Sequence, residues 1–407
     1  MDMGSSTAEA TSELHTLATT EWRTAAIRAV ALCGTPSFIT RQRAVAEALA
    51  VLEPGDGPRV RSWLSFKTHP LPALLVWWHG TGRGVEVVSE FELVAARQLG
   101  CTADTLLVNG VAKHSWLHRY PIPRLRVHLD SQGELDALLP VALACEWRLG
   151  VRVHAPDERD ARDARFGGQF GMTTDEAVTG LRHLRQAGAI VESIHFHLGQ
   201  RAQAPDAYLR AVDELVRVCR AASFRPRFVD CGGGLPEPAK SASALAGLRS
   251  AIAAIEAEFS PELEEVWLEN GRFVTHQSSA LAVRVLDVKE RPECRYLICD
   301  GGRTNHALAA DLGPHPLILL DDRRGPLRLT TVCGPTCMTD DILGRFHLPE
   351  TLGVGDVLLW TGAGAYHLPW ETRFSHGLCA VAWCDDADVP VVARERERPD
   401  AWMRPWT

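Results

Sequence analysis

Arg61-Ser-Trp-Leu-Ser-Phe-Lys67-Thr-His-Pro70 sets the reading of the chain. Trp63, Leu64 and Phe66 form a short apolar run of strand formers, and Pro70 cuts it off. The run reads as a buried strand, Trp63–Lys67, that ends on a lysine. Only four lysines, Lys67, Lys113, Lys240 and Lys289, stand among the 43 basic residues. Lysine is seldom fully buried without a partner, and unlike arginine it becomes an amine nucleophile once burial lowers its pKa. The stretch leaves two readings open: a Schiff-base lysine, or a strand-end lysine whose ammonium snorkels to solvent.

From Arg61 onward, strand and helix periodicities alternate for about two hundred residues. Eight candidate strands follow: Trp63–Lys67, Gly84–Val88, Thr105–Asn109, Leu125–Leu129, Gly150–His154, Val191–His197, Arg227–Cys231 and Val266–Glu269. Between them, Ser89-Glu-Phe-Glu92 and Thr173-Thr-Asp-Glu176 are capping boxes, and Ala204–Ala222 and Ser241–Phe259 are amphipathic. The pattern predicts an α/β barrel of the (β/α)8, TIM-like class over residues 41–285. After Ser279 short strands follow with few helical segments: Leu281–Val288, Arg295–Cys299, Pro316–Leu320, Leu327–Val332, Asp356–Trp360 and Leu378–Cys384. They predict an all-β domain, sandwich- or barrel-like, over 286–407, which residues 1–40 join through a strand at Ser37–Thr40. A helix is expected from near Ala8 to just before Gly34.

Composition narrows the class. A chain of 407 residues with 46% hydrophobic content buries a large core, and a net charge of -8 with mixed signs gives no basic stripe for nucleic acid. No apolar run reaches the length of a membrane span, and Met1–His15 lacks the basic and apolar regions of a signal peptide, so a cytoplasmic protein is expected. Eleven irregularly spaced cysteines without a Cys-x-x-Cys pair argue against a disulfide framework or a structural zinc. The charged run Asp157–Arg165 reads as a solvated loop.

Barrel active sites form at the carboxyl-terminal ends of the strands, and the informative residues cluster there. Ile194-His-Phe-His-Leu-Gly199 puts His195 and His197 on one face of a strand. Val229-Asp-Cys-Gly232-Gly233-Gly234 lets backbone N–H groups approach an anion, and Leu268-Glu269-Asn-Gly271-Arg272 puts a carboxylate and a guanidinium on one rim. Singly these are a turn, a salt bridge and ring packing. Together they offer an amine, a ring platform, a phosphate nest and a carboxylate for a ring nitrogen, the requirements of pyridoxal 5'-phosphate.

On these residues the chain resembles the fold-type III pyridoxal-phosphate decarboxylases, the group of ornithine, diaminopimelate and biosynthetic arginine decarboxylases. The resemblance runs from about Thr35 to Trp383. It implies an amino-acid decarboxylase with Lys67 as the Schiff-base lysine, Glu86 in the acidic position of the second-strand motif, and Arg152 supporting that carboxylate. Gln169-Phe-Gly-Met172 matches the family's Phe-Gly loop, and His197 matches the histidine stacked on the pyridine ring. Gly232, Gly233, Gly234, Gly271 and Arg272 match the phosphate cradle, and Glu269 the glutamate paired with the pyridine nitrogen. Val332-Cys-Gly-Pro-Thr-Cys337 resembles the Gly-Pro-x-Cys stretch, which implies that Cys337 enters the partner subunit's site and protonates Cα. Gly362-Ala-Gly-Ala-Tyr366 resembles the tyrosine motif that reaches the phosphate. A homodimer with shared active sites follows from the resemblance.

The departures concern the substrate. Met338 follows the site cysteine where relatives acting on diamino acids carry an acid, with Asp340 and Asp341 as nearby substrate candidates. His315-Pro-Leu-Ile-Leu319 stands in place of Arg-Pro-x-x-Tyr, and Gln200 in place of a serine. These departures point to a small-molecule substrate other than ornithine, lysine or diaminopimelate, such as a modified or conjugated amino acid. Three alternatives stay open. One is a racemase or epimerase on the same fold. Another is a metal-dependent barrel hydrolase using His195-x-His197 with Asp230 or Glu269; the decarboxylase reading itself expects no metal. The third is a non-catalytic cofactor-binding regulator.

Overall fold

After β1 (Ser37–Arg41), eight parallel strands close into a barrel: β2 (Val60–Ser65), β3 (Gly84–Val87), β4 (Leu106–Val108), β5 (Arg126–Leu129), β6 (Arg148–Arg152), β7 (Ile190–His195), β8 (Phe228–Asp230) and β9 (Glu265–Asn270). The computed structural model describes residues 18–53, 59–155, 168–199, 206–306 and 315–407. The expected helix start between Ala8 and Leu17, the Asp157–Arg165 run and Gln200 lie outside the described residues. The strands are short and apolar because helices cover their outer face and side chains fill the inside. Trp63, Leu107, Phe228 and Trp267 plug the interior. Trp63 meets Trp267 edge to face at 5.2 Å, and Phe228 stacks on Trp267 at 4.6 Å.

Helix starts follow their caps. Thr173 and Glu176 close a complete capping box on the helix Thr174–Gln186. Ser89 caps Glu90–Gln98 through the Glu92 N–H, but the Glu92 carboxylate accepts from the Val88 N–H at 2.7 Å rather than closing on Ser89.

Two strand ends differ from the sequence reading, and both matter for the site. Pairing of β2 stops at Ser65, so Lys67 sits in a single 3-10 turn, Phe66–Thr68, rather than on the strand. Pairing of β7 stops at His195 because its neighbour β8 spans three residues and then turns away at Gly232, whose φ is +63°. His197 therefore lies beyond the strand and does not share a strand face with His195.

The remaining strands are β10 (Ser279–Glu290), β11 (Arg295–Cys299), β12 (Leu317–Leu319), β13 (Leu327–Cys333), β14 (Ile342–Pro349), β15 (Val357–Thr361), β16 (Ala380–Cys384) and β17 (Pro390–Arg394). With β1 they form a nine-stranded sheet in the order β14-β13-β11-β10-β1-β16-β17, with β15 paired to β10 and β12. β14 and β17 were not expected from sequence. β1 runs antiparallel to β10 and parallel to β16, which draws the chain before the barrel into the sheet. The chain thus forms two units, one up to Val45 and from Thr275 onward, the other Ala46–Val274. β10 runs unbroken through residue 285, so the sheet takes its share of the chain earlier than residue 286. The sheet packs Ile39, Ala280, Ala282, Leu359 and Ala382 against Trp22 and Ala26 of the helix Ala18–Cys33. Among the described residues no helix is long and apolar enough to cross a membrane.

Candidate active site

The amine comes first. Lys67 stands in the turn after β2, and Glu86 lies on β3 directly opposite Ser65, the last residue of β2. The Lys67 Nζ lies 3.1 and 3.3 Å from the two Glu86 carboxylate oxygens. The two partners differ in setting: the Lys67 side chain is 38% exposed and that of Glu86 1%. A carboxylate fixed in the wall thus holds an ammonium that still faces open space.

Glu269 lies near the end of β9, the strand paired with β2 on the side away from β3, and is wholly buried. Asn109 donates its side-chain amide to Glu269 Oε1, and His195 Nε2 lies 3.5 Å from the same oxygen. His195 stacks on His128 at 4.8 Å, and His128 Nδ1 lies 3.7 Å from Asp230 Oδ2. Asp230 accepts the Gly232 N–H at 2.8 Å. Burial, reinforced by the negative charges of Asp230 and Glu86, holds the Glu269 carboxyl well above the usual carboxylate range. Burial likewise pushes Asp230 up to about 7 and His128 down to about 3, and holds His195 well below the usual histidine range. Two buried carboxyls thus face two uncharged imidazoles and an amide. An ionised carboxylate in such a setting is costly unless a cation meets it. A protonated ring nitrogen supplies that cation, so the position fits the pyridine end of pyridoxal phosphate.

The rim between these groups is built from backbone. A Cβ on Gly232 would lie 2.5 Å from the Phe196 carbonyl oxygen, one on Gly233 2.4 Å from the Glu269 carbonyl oxygen, and one on Gly234 2.1 Å from the Gly199 carbonyl oxygen. Only glycine lets the three main chains meet this closely. His197 lies in the same rim, half-buried, with Nδ1 accepting the Gly199 N–H at 3.0 Å. Gly271 presses on Thr68 beside Lys67, and Arg272 opens the short helix Arg272–Thr275. An amine, a ring-sized face, a glycine cradle and a buried carboxyl therefore fit the aldehyde, ring, phosphate and nitrogen of the cofactor.

Arg152 has a different partner from the one the resemblance implies. It pairs with Asp130 at 3.2 Å rather than with Glu86, because it ends β6 beside the end of β5. Its guanidinium lies over the Phe170 ring at 4.7 Å, and Asp130 also accepts the Gly171 N–H at 3.2 Å. Arg152 and Asp130 thereby fix the Phe-Gly loop.

In the β-rich unit, the loop between β13 and β14 exposes Cys337 and Asp340 and half-buries Met338. Asp341, expected to face a substrate, is buried; its carboxylate accepts from the Arg303 N–H at 2.8 Å, the Thr336 N–H at 3.0 Å and the Thr336 hydroxyl at 2.5 Å. It braces its own loop. Tyr366 is half-buried and adopts φ +66° before the helix His367–Trp370.

Sequence reasoning missed Asn109, His128, Asp130 and the Lys113–Glu134 pair. A usable signal existed for two of them: Asn109 and Asp130 are the polar residues directly after the apolar strands β4 and β5. His128, His195, Asp230 and Glu269 bring nitrogen and oxygen atoms within 4.8 Å of one another, and His197, which the alternative hydrolase reading paired with His195, is not in this group.

Comparison with known proteins agrees with this geometry. Residues 37–276 match the family model described as the pyridoxal-binding domain of pyridoxal-dependent decarboxylases. A diaminopimelate decarboxylase of Methanothermobacter thermautotrophicus is 25% identical, covering 89% of this chain and 90% of its own length. A lysine/ornithine decarboxylase of Selenomonas ruminantium is 26% identical, over 78% of this chain and 81% of its own. Among solved structures, a Vibrio vulnificus lysine/ornithine decarboxylase complexed with cadaverine superposes with a TM-score of 0.76 at 18% identity, covering 90% of this chain and 99% of that one.

Proposed function

The chain belongs to the pyridoxal-dependent decarboxylase family, and we propose that it removes the α-carboxylate of an amino acid whose distal end carries no free ammonium. Its cofactor is pyridoxal 5'-phosphate and its reaction class carboxy-lyase. Because the relatives are decarboxylases, the racemase, hydrolase and non-catalytic readings are set aside. The loop after Cys337 carries the substrate reading: Met338 is apolar, and the Asp341 carboxylate is engaged by its own loop. With Asp341 engaged, a distal ammonium would meet the exposed Asp340 of this loop, whereas an acylated or otherwise masked end fits the apolar Met338.

When bound, pyridoxal phosphate supplies a conjugated sink for the electron pair left at Cα as carbon dioxide departs. The protein contributes the rest. Glu86 takes a proton from Lys67 Nζ, so that the amine can bond to an aldehyde carbon. Glu269, oriented by Asn109, accepts a hydrogen bond from a protonated ring nitrogen and keeps that nitrogen charged. His197 would bound one ring face, and Gly232–Gly234, Gly271 and Arg272 would hold the phosphate. Cys337 delivers its thiol proton to Cα once the carboxylate has left as carbon dioxide, and solvent returns a proton to the thiolate. The exposure of Cys337 on its own unit supports its use in the site of a second subunit, hence a homodimer. All eleven cysteines are unpaired, which supports a reducing, cytoplasmic setting.

The test is carbon dioxide release from a panel of free and side-chain-masked amino acids by the purified, cofactor-loaded protein. Masked substrates are expected to show kcat/KM at least about tenfold above ornithine, lysine and diaminopimelate. A preference for one of those three overturns the substrate class. Loss of optical activity without carbon dioxide overturns the decarboxylation.

A further inference from the structure

A second group of imidazoles lies in the β-rich unit, among residues given no part in the chemistry above. His306, His315 and His367 bring one ring nitrogen each within 4.8 Å of one another. Their rings meet edge to face, with centroids 4.4 Å (His306–His315), 4.8 Å (His306–His367) and 5.0 Å (His315–His367) apart. His367 Nε2 and His306 Nδ1 are 3.3 Å apart. Two nitrogens bound at about 2.0–2.1 Å to one tetrahedral zinc stand roughly 3.3–3.4 Å from each other.

Outer contacts set the tautomers. His367 is wholly buried, with Nδ1 2.9 Å from the Ala365 carbonyl oxygen, and His315 Nδ1 is 3.2 Å from the Thr361 carbonyl oxygen. A carbonyl only accepts, so Nδ1 donates in both rings and the lone pair lies on Nε2. Metal-ligating histidines are characteristically oriented by such an outer carbonyl.

The surroundings suit the same role. The His306 ring stands edge-on to Trp360 at 5.7 Å. Gly362, at φ +73°, carries the end of β15 past the cluster; a Cβ there would lie 2.8 Å from His276 Nε2 and 3.3 Å from His315 Nδ1. His306 and His315 are half-buried, which gives an ion access from solvent.

We infer that His306, His315 and His367 bind a divalent ion of the zinc class through three imidazoles, with a fourth position for water or a carboxylate oxygen. Imidazole sets favour zinc, nickel, copper and iron over magnesium or calcium, and three histidines with one open position is an established zinc arrangement.

The experiment uses the full-length, cofactor-loaded protein, stripped with chelator and titrated with cobalt(II), read to the red of the cofactor absorption. The expected result is one tight equivalent per chain with the intense visible bands of tetrahedral or five-coordinate cobalt, displaced by zinc. In His315→Gln and in His306→Gln the affinity should fall by more than the roughly 10- to 100-fold that loss of an outer partner costs. Both rings are half-buried, and a melting curve checks that each variant folds. In His195→Gln, which alters the barrel cluster, the cobalt equivalent should remain. A wild type that takes up no stoichiometric cobalt, or binding unchanged in both cluster variants, overturns the inference.

Discussion

The barrel holds two ammonium–carboxylate pairs of the same composition and opposite character. Lys113 and Glu134 are both fully buried, 2.7 Å apart. Lys113 Nζ also donates to the Gly110 carbonyl at 2.7 Å, and Glu134 accepts the backbone N–H groups of Lys113 and Asp130. The hydrogen bonds of that pair tie loops together. Lys67 and Glu86 are 3.1 Å apart, but the lysine side chain is 38% exposed. Reactivity resides in the pair that burial leaves incomplete. The sequence reading chose Lys67 because a lysine closes a strand, yet the completely buried lysine is Lys113. Burial with full satisfaction makes a strut; a fixed carboxylate beside an accessible amine makes a site.

The largest effect expected from breaking this contrast is on activity. Lys67→Ala should lower carbon dioxide release by several orders of magnitude and abolish borohydride-trappable attachment of the cofactor. Its stability should change less than that of Lys113→Met, because solvent reaches the place of the partly exposed lysine and screens the Glu86 carboxylate left behind. A variant with full turnover would remove Lys67 from the chemistry.

Lys113→Met should do the reverse. It leaves the Glu134 carboxylate buried and unpaired, at a cost of about 3–5 kcal/mol in denaturant unfolding, while molecules that remain folded keep their turnover. The double change Lys113→Met with Glu134→Leu should recover much of that loss, since an apolar pair needs no partner. A single variant as stable as the wild type would show that the strut is not one.

The Asp230–Glu269 pair offers a pH test on the cofactor-free protein. Asp230 is pushed up to about 7 by burial. Its unfolded-state pKa is near 4. Between those values the unfolded chain releases the proton and the folded chain keeps it, so the Asp230 contribution to stability should fall as pH rises from about 4 to about 7, against the rise that the uncharged His128 and His195 give below about 6.5. Asp230→Asn should remove that falling contribution, so the melting temperature of the wild type minus that of the variant should decline across the window. Two profiles that stay parallel from about pH 4 to about 7 would contradict a buried, uncharged Asp230.

What the sequence revealed follows the same division. The barrel was legible because its eight strands are local apolar runs separated by capped helices, and Thr173 and Ser89 mark two helix starts by chemistry confined to a few residues. Lys67, Glu269 and the glycine triplet were legible because each lies at or just past the end of an apolar strand. Lys113 was not, because its partner lies 21 residues away and nothing in Val111-Ala-Lys113-His-Ser announces burial. Asp341 looked like a substrate ligand because acidity is visible in a sequence, whereas its hydrogen bonds to Arg303 and Thr336 depend on a folded loop. β14 escaped notice because Gly344 and Pro349 interrupt a strand whose outer positions are polar. The His306, His315 and His367 cluster had no signal at all: three separate segments supply one ring each.

The smallest stability effect, and the sharpest probe of the contrast, belongs to Glu86→Gln. The change keeps shape and a hydrogen-bond acceptor but removes the charge that faces Lys67. Because the lysine is partly exposed, water replaces much of the lost attraction, and unfolding should shift by no more than about 1 kcal/mol. The same substitution at Glu134 strands a buried ammonium and should cost several-fold more. Proton transfer separates the two roles further. Glutamine cannot take a proton from Lys67 Nζ, so borohydride-trappable attachment of added pyridoxal phosphate should slow markedly in Glu86→Gln while final occupancy is kept. If attachment proceeds at the wild-type rate, Glu86 only positions the amine, and the two pairs differ in exposure alone.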